Sequence, residues 1–395
     1  MTLDERKNKI SQEIETLTQK CYEVSNYLTE NPEISLEEEK SSVYVAGFLK
    51  NEGYDVEMPY KNVQYSFLAV DKAKESKNLP KIAILCEYDA LPDIGHGCGH
   101  SVSCGISLLC ALAIRQALED FPMQIDIIGT PAEEFGGGKI LLADAGAFDG
   151  YEFAAMAHLF VKNAPVFKVL ASVDMDVKFF GKSAHASATP WEGRNALNAV
   201  QLFFHALDMM RQHLTPDCQI HGVITNGGVL PSIVPEEASC YIYPRAGSMQ
   251  NLNLLWDRME KCAKGAAMAT ETTCEIKSLY PAYGDLYSTP TGQKLMYDLF
   301  REQEMPFEDE IIALGSTDIG NVDLLIPSFQ PGVKIGNDPD IKLHSKEFAD
   351  LMKSDEAIIS LKNGAKIIAN LCLNLAYDKE TLAQIKLEHS AHRKA

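Results

Sequence analysis

Six side chains carry the chemical interest of this sequence: Cys98, His100, Glu133, Glu134, His158 and His344. Two of them sit in Gly95-His96-Gly97-Cys98-Gly99-His100, a thiol and two imidazoles separated only by glycines. At spacing i, i+2, Cys98 and His100 point the same way only in extended backbone, where they can share one metal ion. Glu133 and Glu134 are adjacent, so their side chains diverge. One can bind metal while the other takes a proton from a metal-bound water as general base. His158 and His344 could complete a mixed thiolate, imidazole and carboxylate set that suits Zn(II) or Mn(II). A helix predicted to start just after the glycines would bias the Cys98 thiol towards thiolate through its partial positive end.

Each residue also has a plain structural reading. A histidine at a strand end is commonly a satisfied polar group, a Glu-Glu pair a solvated surface, and cysteine a buried apolar residue. Repetition argues for the metal: three successive predicted strands each end in a ligand-type residue, on what should be one sheet edge. Those strands are the apolar runs Lys81–Cys86, Met123–Gly129 and Phe153–His158. Helices are predicted over Thr2–Asn31, over Ser35–Asn51 with a capped start at Ser35, from Ser101 to Glu119, and from the opening Gly136-Gly137-Gly138 through Ala145. The edge of an open α/β sheet, where strand hands over to helix, is where ligands usually bind.

Composition shifts near Leu170. The stretch Ser172–Phe180 alternates apolar and charged residues, as a strand exposed on one face does. A helix (Ala196–His213), strands (Gln219–Val229 and Glu236–Pro244), a helix (Met249–Met268) and a strand (Thr272–Leu279) follow, the order of a split βαβ module. After Tyr287 the chain returns to a helix-strand pattern with helices at Thr291–Glu302 and Ser354–Leu375. The reading is a discontinuous α/β domain, residues 1–171 and 287–395, with a mixed sheet and helices on both faces, and a ferredoxin-like α+β module inserted at 172–286.

The 395 residues carry a net charge of -19, which argues against nucleic acid or an anionic membrane as partner. No apolar run approaches the ~20 residues of a membrane span. The ten cysteines show no CxxC pair, and the charged start Met1-Thr2-Leu3-Asp4-Glu5-Arg6-Lys7 is unlike a signal peptide. The expectation is a cytoplasmic protein with reduced thiols.

The sequence resembles the aminoacylase-type metallopeptidases, a family that includes auxin-conjugate amidohydrolases, hippurate hydrolases and p-aminobenzoyl-glutamate hydrolases. The matching pieces are Asp89-Ala90-Leu91-Pro92, His96-Gly97-Cys98-Gly99-His100, Thr130-Pro131-Ala132-Glu133-Glu134 and Met156-Ala157-His158. Further along come Phe180-Gly181-Lys182-Ser183-Ala184-His185-Ala186, Pro190-Trp191-Glu192-Gly193-Arg194-Asn195-Ala196-Leu197, Gly315-Ser316-Thr317-Asp318 and His344-Ser345. The resemblance implies two divalent metal ions, zinc or manganese with cobalt as a further option, in the discontinuous domain, and a lid in the inserted module that forms a homodimer. Cys98 would lie between the metals, with His100, Glu134, His158 and His344 as the other ligands and Glu133 as the base. His185, in the lid, would reach the other protomer's site and stabilise the oxyanion. Arg245 and Asn226 would contact a substrate carboxylate, and Gly315 and Ser316 would line the substrate site. One departure is that many relatives place a ligand His two residues before the Asp of the first motif, where this chain has Glu87-Tyr88-Asp89. The auxin-amidohydrolase branch answers with a Cys-x-His pair, as here. His96 is then an extra imidazole with a supporting role.

The implied activity is metal-dependent hydrolysis of the amide bond in an N-acyl or N-aroyl amino acid or a small dipeptide. Two rivals stand beside it. A thiol hydrolase would use Cys98 as nucleophile with His100 or His158 as its base and would ignore chelators. A non-catalytic binding homologue would retain metal weakly and hydrolyse nothing.

Overall fold

The N-terminal periodicity becomes helix α1, Leu3–Glu30, where Thr2 and Glu5 exchange the reciprocal hydrogen bonds of a capping box. Its stripe Ile10, Ile14, Leu17, Cys21, Val24 and Leu28 is buried. In this computed structural model, residues 1–72, 79–308, 311–338 and 340–394 are described. Helix α2 spans Glu39–Asn51, starting later than the sequence suggests. Ser35 is not its cap, because the Ser35 hydroxyl donates to Asp89 Oδ2 at 2.8 Å instead. Then come β1 (Tyr54–Glu57), β2 (Phe67–Asp71), β3 (Lys81–Cys86), α3 (His100–Ala117), β4 (Gln124–Gly129), α4 (Gly138–Asp144), β5 (Tyr151–Ala155), β6 (His158–Phe160) and β7 (Phe167–Val169).

The chain divides into two compact units, one of Met1–Val169 with Leu286–Ala395 and the other of Leu170–Asp285. The second unit contains β8 (Ala171–Ser172), β9 (Met175–Phe180), α5 (Ala196–Arg211), β10 (Gln219–Asn226), β11 (Glu237–Ala246), α6 (Met249–Ala269) and β12 (Thr273–Lys277). The first unit resumes with α7 (Pro290–Glu302), β13 (Ile312–Leu314), α8 (Ile319–Asp323), β14 (Ser328–Phe329), β15 (Gly332–Lys334), α9 (Lys346–Asp350), α10 (Asp355–Tyr377) and α11 (Lys379–Lys394).

The principal sheet of the first unit is mixed, in the order β1-β2-β4-β3-β5-β14. Strand β3 runs parallel to both β4 and β5, whereas β2 is antiparallel to β4. Along β3 the side chains alternate between two cores. Ile82 and Ile84 join the cluster that includes residues of α1, α3 and α10, while Ala83 and Leu85 join Leu142 of α4 and Ile319 and Val322 of α8. A strand buried on both faces reads as an unbroken apolar run, which is why it was visible in the sequence. Because β3, β4 and β5 are parallel, the loops leaving their C-terminal ends lie along one edge.

The expected single strand over Phe153–His158 is two strands. Ala154 and Ala155 pair with β14, whereas His158–Phe160 pairs with β15, so the chain shifts neighbours between them. In the second unit, the four antiparallel strands stand in the order β10-β11-β9-β12, with β8 also pairing with β11. The succession βαββαβ with that order is the split βαβ topology. Helices α5 and α6 contribute Phe203, Leu207, Leu255 and Met259 to a core with Val177, Phe179 and Cys240 of the sheet. Strand β10 is an edge strand, and its Val223 and Ile224 are 61% and 48% exposed.

Candidate metal centre

The loop after β3 carries Glu87 and Asp89 and turns through the glycines into α3, whose first residue is His100. Gly99, the residue before that helix, is left-handed at φ 82, and a Cβ there would stand 2.7 Å from the Leu159 Cβ. Cys98 and His100 therefore converge through a left-handed glycine rather than the extended backbone expected from their spacing. The loop after β4 supplies Glu133 and Glu134, and His158 opens β6. His344 comes from far down the chain. Its own φ is 63, and its backbone N–H donates to the Gly97 carbonyl at 3.0 Å. A side chain at position 97 would stand 2.9 Å from Ile94, so glycine lets this late segment come close.

These residues assemble into groups whose ligand atoms lie within 4.8 Å of one another: Cys98 with His100 and His158, Cys98 with Glu134 and His344, and His100 with Glu133 and Glu134. Cys98 belongs to two of the groups, the pattern expected of a thiol shared by two cations. Donors bound to one ion at about 2.0–2.3 Å stand ~3–4 Å apart, so the spacing suits metal.

The hydrogen bonds prepare the same atoms for a cation. His100 Nδ1 donates to the Asp89 carbonyl and to Asp89 Oδ1, each at 3.0 Å, so Nε2 is the atom turned inward, ready to ligate once it gives up its proton. His158 Nδ1 donates to the Leu159 carbonyl at 2.6 Å, again leaving Nε2 as the inward donor atom. Among the described residues, buried His100 Nε2, Glu134 Oε1 and Glu87 Oε2 have no hydrogen-bond partner. His100 Nε2 lies 3.5 Å from Glu87 Oε2 and 3.8 Å from Glu133 Oε2. A set of acceptor atoms converging without donors is what a pair of divalent ions would satisfy.

The crowding of buried carboxylates sets the electrostatics, and a cation binding here has protons on the imidazole and the thiol to displace. Burial lowers the His100 pKa, yet Glu87 and Asp89 outweigh it and hold the imidazole well above its ordinary range. His158 is pulled down to about 4, first by burial and then by His100. Burial, with Glu87 and Asp318, pushes the Glu133 carboxyl well up. Cys98 corrects a sequence expectation: burial, then Glu134 and Glu133, raise its thiol well above the ordinary value. The partial charge of a helix end, roughly half an elementary charge, does not offset two carboxylates and desolvation.

Two functional neighbours, Lys139 and Asp318, have roles that local patterning does not show. Lys139 has no exposed side-chain surface, and its Nζ lies 2.5 Å from Glu87 Oε1 and 2.6 Å from Asp318 Oδ1. The Lys139 backbone N–H also donates to Asp318 Oδ2 at 2.9 Å. Glu87, Glu133 and Asp318 form one acidic group, so Lys139 is the cation that balances it. The available signal was a single Lys in the apolar run Gly138–Leu142. His96 fits its supporting role: it is 2% exposed and its Nε2 donates to the Leu28 carbonyl at 3.1 Å, tying the loop to the end of α1.

The remaining sequence candidates do not all gather. Gly315 is exposed and Ser316 half-buried on the loop that leads to Asp318. His185, Asn226 and Arg245 belong to the second unit. The exposed His185 accepts at Nδ1 from the Ser187 and Ala188 backbone N–H groups, each at 3.3 Å, which places the ring proton on Nε2. Asn226 accepts from the Gly228 N–H at 3.0 Å. Arg245 lies over the Tyr243 ring, 5.0 Å from its centroid. In the β10–β11 register Arg245 faces Gln219 and Asn226 faces Ser239. That separation is about 20 Å at 3.3 Å per residue, so within one copy they cannot hold the same carboxylate.

Residues 83–374 match the model of peptidase family M20/M25/M40. The chain belongs to that family. It is 34% identical to a Xaa-Arg dipeptidase of Mus musculus, over 97% of this chain and 91% of the relative. It is 31% identical to a p-aminobenzoyl-glutamate hydrolase chain of Escherichia coli, over 68% of this chain and 59% of the relative. The fold is similar to that of an aminohydrolase from methicillin-resistant Staphylococcus aureus, with TM-score 0.77 and 20% identity over 93% and 99% of the chains. It is also similar to a Bacillus subtilis protein described as a dinuclear metal binding peptidase of the M20 family, with TM-score 0.68 and 16% identity over 91% and 99%. As a member of the M20 family, the chain is a metal-dependent hydrolase of amide or peptide bonds.

Proposed function

We propose that this M20 hydrolase cleaves small dipeptides, with N-acyl and N-aroyl amino acids as the neighbouring substrate class. The observation that carries the reading is Cys98 shared between two ligand groups, with Glu133 beside both His100 and Glu134. Cys98, His100, Glu134, His158 and His344 would hold two divalent ions, zinc, manganese or cobalt. Such ions, when bound, make water more acidic and polarise a carbonyl. Glu133 is assigned the base because it stands beside His100 and Glu134 without belonging to either Cys98 group, placed to take a proton from water and pass it to the leaving amine. His185 is assigned the hydrogen-bond donor to the developing oxyanion, because its tautomer leaves the proton on Nε2. Arg245 and Asn226, too far apart to act together in one copy, are assigned to substrate carboxylate binding from different copies. Gly315 and Ser316 are kept as substrate-lining positions. The exposed edge of β10 supports a homodimer through the second unit, and the ten free thiols support a cytoplasmic setting.

Dipeptides rank first because the Xaa-Arg dipeptidase relative is matched along nearly the whole chain. The test is metal analysis of the purified protein followed by a hydrolysis screen. The screen holds Xaa-Arg and other dipeptides, N-acetyl and N-aroyl amino acids and p-aminobenzoyl-glutamate, with Mn(II), Zn(II) and Co(II) each added back. Glu133→Gln is expected to retain metal and fold while losing turnover by about 10²–10⁴-fold; unchanged turnover removes Glu133 from the role.

One contact favours a thiol rival, though not with the His100 or His158 base expected of it: Cys98 Sγ lies 2.9 Å from His344 Nε2, a thiol–imidazole distance. The raised thiol argues against it. Activity that survives chelation but not iodoacetamide would establish the rival.

A further inference from the structure

The adjacent carboxylates Glu133 and Glu134 share one group with His100, yet each also serves another, Glu133 with Glu87 and Asp318 and Glu134 with Cys98 and His344, and the backbone just before them explains how. Ala132 is left-handed at φ 59, a conformation in which an L side chain is strained. It is 1% exposed and held at both ends. Its carbonyl accepts from the Gly137 and Gly138 N–H groups at 2.9 and 3.3 Å. Its own N–H donates to Glu38 Oε1 at 2.6 Å, and two residues on, the Glu134 N–H donates to Asp89 Oδ2 at 2.9 Å. Glu38 is fully buried, precedes α2 and makes no side-chain cap bond to that helix. Its backbone carbonyl is fixed by the Ser42 N–H at 3.0 Å and the Ser42 hydroxyl at 2.6 Å. Besides the nearby Glu38 and Leu36 backbone groups, this buried carboxyl, which does not cap its own helix, reaches 94 residues along the chain to a strained N–H, and that long reach has a directed task.

We propose that Glu38 is a positioning residue: its hold on the Ala132 N–H fixes the left-handed corner that sends Glu133 towards His100 and Glu87 while Glu134 goes to Cys98 and His344. The inference rests on Glu133 as base and Glu134 as ligand. Glu38→Gln keeps an acceptor oxygen at the same reach. Glu38→Ala removes it. Ala132→Gly removes the strain, since glycine takes positive φ at no steric cost.

The experiment measures kcat and KM with the best substrate of the screen, bound metal per chain, and amide hydrogen exchange across residues 132–138, in the metal-loaded protein. Glu38→Ala is expected to lower kcat about 10–100-fold with KM and metal stoichiometry unchanged and to speed exchange at the corner. Glu38→Gln is expected to stay within about threefold of the parent, and adding Ala132→Gly to Glu38→Ala to recover much of the loss. If Glu38→Ala does not fold, Glu38→Asp, one methylene short of the N–H, gives the same kcat loss from a folded protein. The proposal is overturned if Glu38→Ala keeps kcat within twofold. It is also overturned if kcat falls with thermal stability and neither Gln nor the added glycine restores it. Glu133→Gln is run alongside. Unchanged turnover there defeats the base assignment, and the hydrogen exchange then decides Glu38 alone, unchanged protection at the corner overturning it.

Discussion

Removing the Lys139 ammonium would leave Glu87 and Asp318 facing each other with no exposed surface, Asp318 without the cation it is paired with and Glu87 with only the His100 imidazole, 3.5 Å away. Losing one partner of a buried ion pair costs about 3–5 kcal/mol, because the other charge stays desolvated. Lys139→Met is therefore expected to lower the unfolding free energy by that order, read as a lower urea midpoint at unchanged m-value, with chelator present so that bound metal does not mask the effect. Adding Glu87→Gln should recover part of the loss; if the single variant melts with the parent, the ammonium is not balancing the cluster. Cys98, His100, Glu134 and His158 were legible because each sits at the end of an apolar run or in a glycine-flanked loop, whereas His344, within Ile341-Lys342-Leu343-His344-Ser345, stood out through the family resemblance. The pairing of Lys139 with Asp318 was not legible, since a lone charge reads as solvated until the fold buries it against a partner 179 residues away.

The strand-to-helix turn before α3 is the element on which His100 depends. Gly99→Ala places a Cβ at positive φ and against Leu159, so it is expected to cost about 1–2 kcal/mol from the backbone alone and to weaken metal retention. Gly47, inside α2 with nothing within 4 Å of its Cβ position, is the control: Gly47→Ala is expected to stabilise by about 0.5–1 kcal/mol. Thermal melts with chelator competition compare the two, and equal effects would mean that the turn is not specially constrained. Among elements, β3, β4 and α1 declared themselves by apolar runs or periodicity. The break between β5 and β6 did not, because it is set by pairing with β14 and β15, far along the chain. Helix α11 was also missed. It buries only Leu382, Ile385 and His389, and it is held by His389 and Arg393 on the Asp323 carbonyl rather than by an apolar stripe.

Across the whole molecule, the open edge of β10 is the feature from which self-association is expected. A charge at the exposed Val223, as Val223→Lys, disfavours strand pairing there, so sedimentation should show the parent as a dimer and the variant shifted to monomer. A parent that sediments as a monomer would end that expectation. The topology of the second unit was legible from its element order, whereas the neighbour that β10 meets is not written in any local pattern. Cys98 and His344 touch although 246 residues separate them, and the second unit is threaded through that interval. During translation, a ribosome releases Cys98, His100, Glu133, Glu134 and His158 long before His344, and domains generally fold as units from the N-terminus. With His344 proposed as a ligand, the nascent polypeptide can collect only part of its inorganic complement before that residue emerges, and capture of the ions is completed only then.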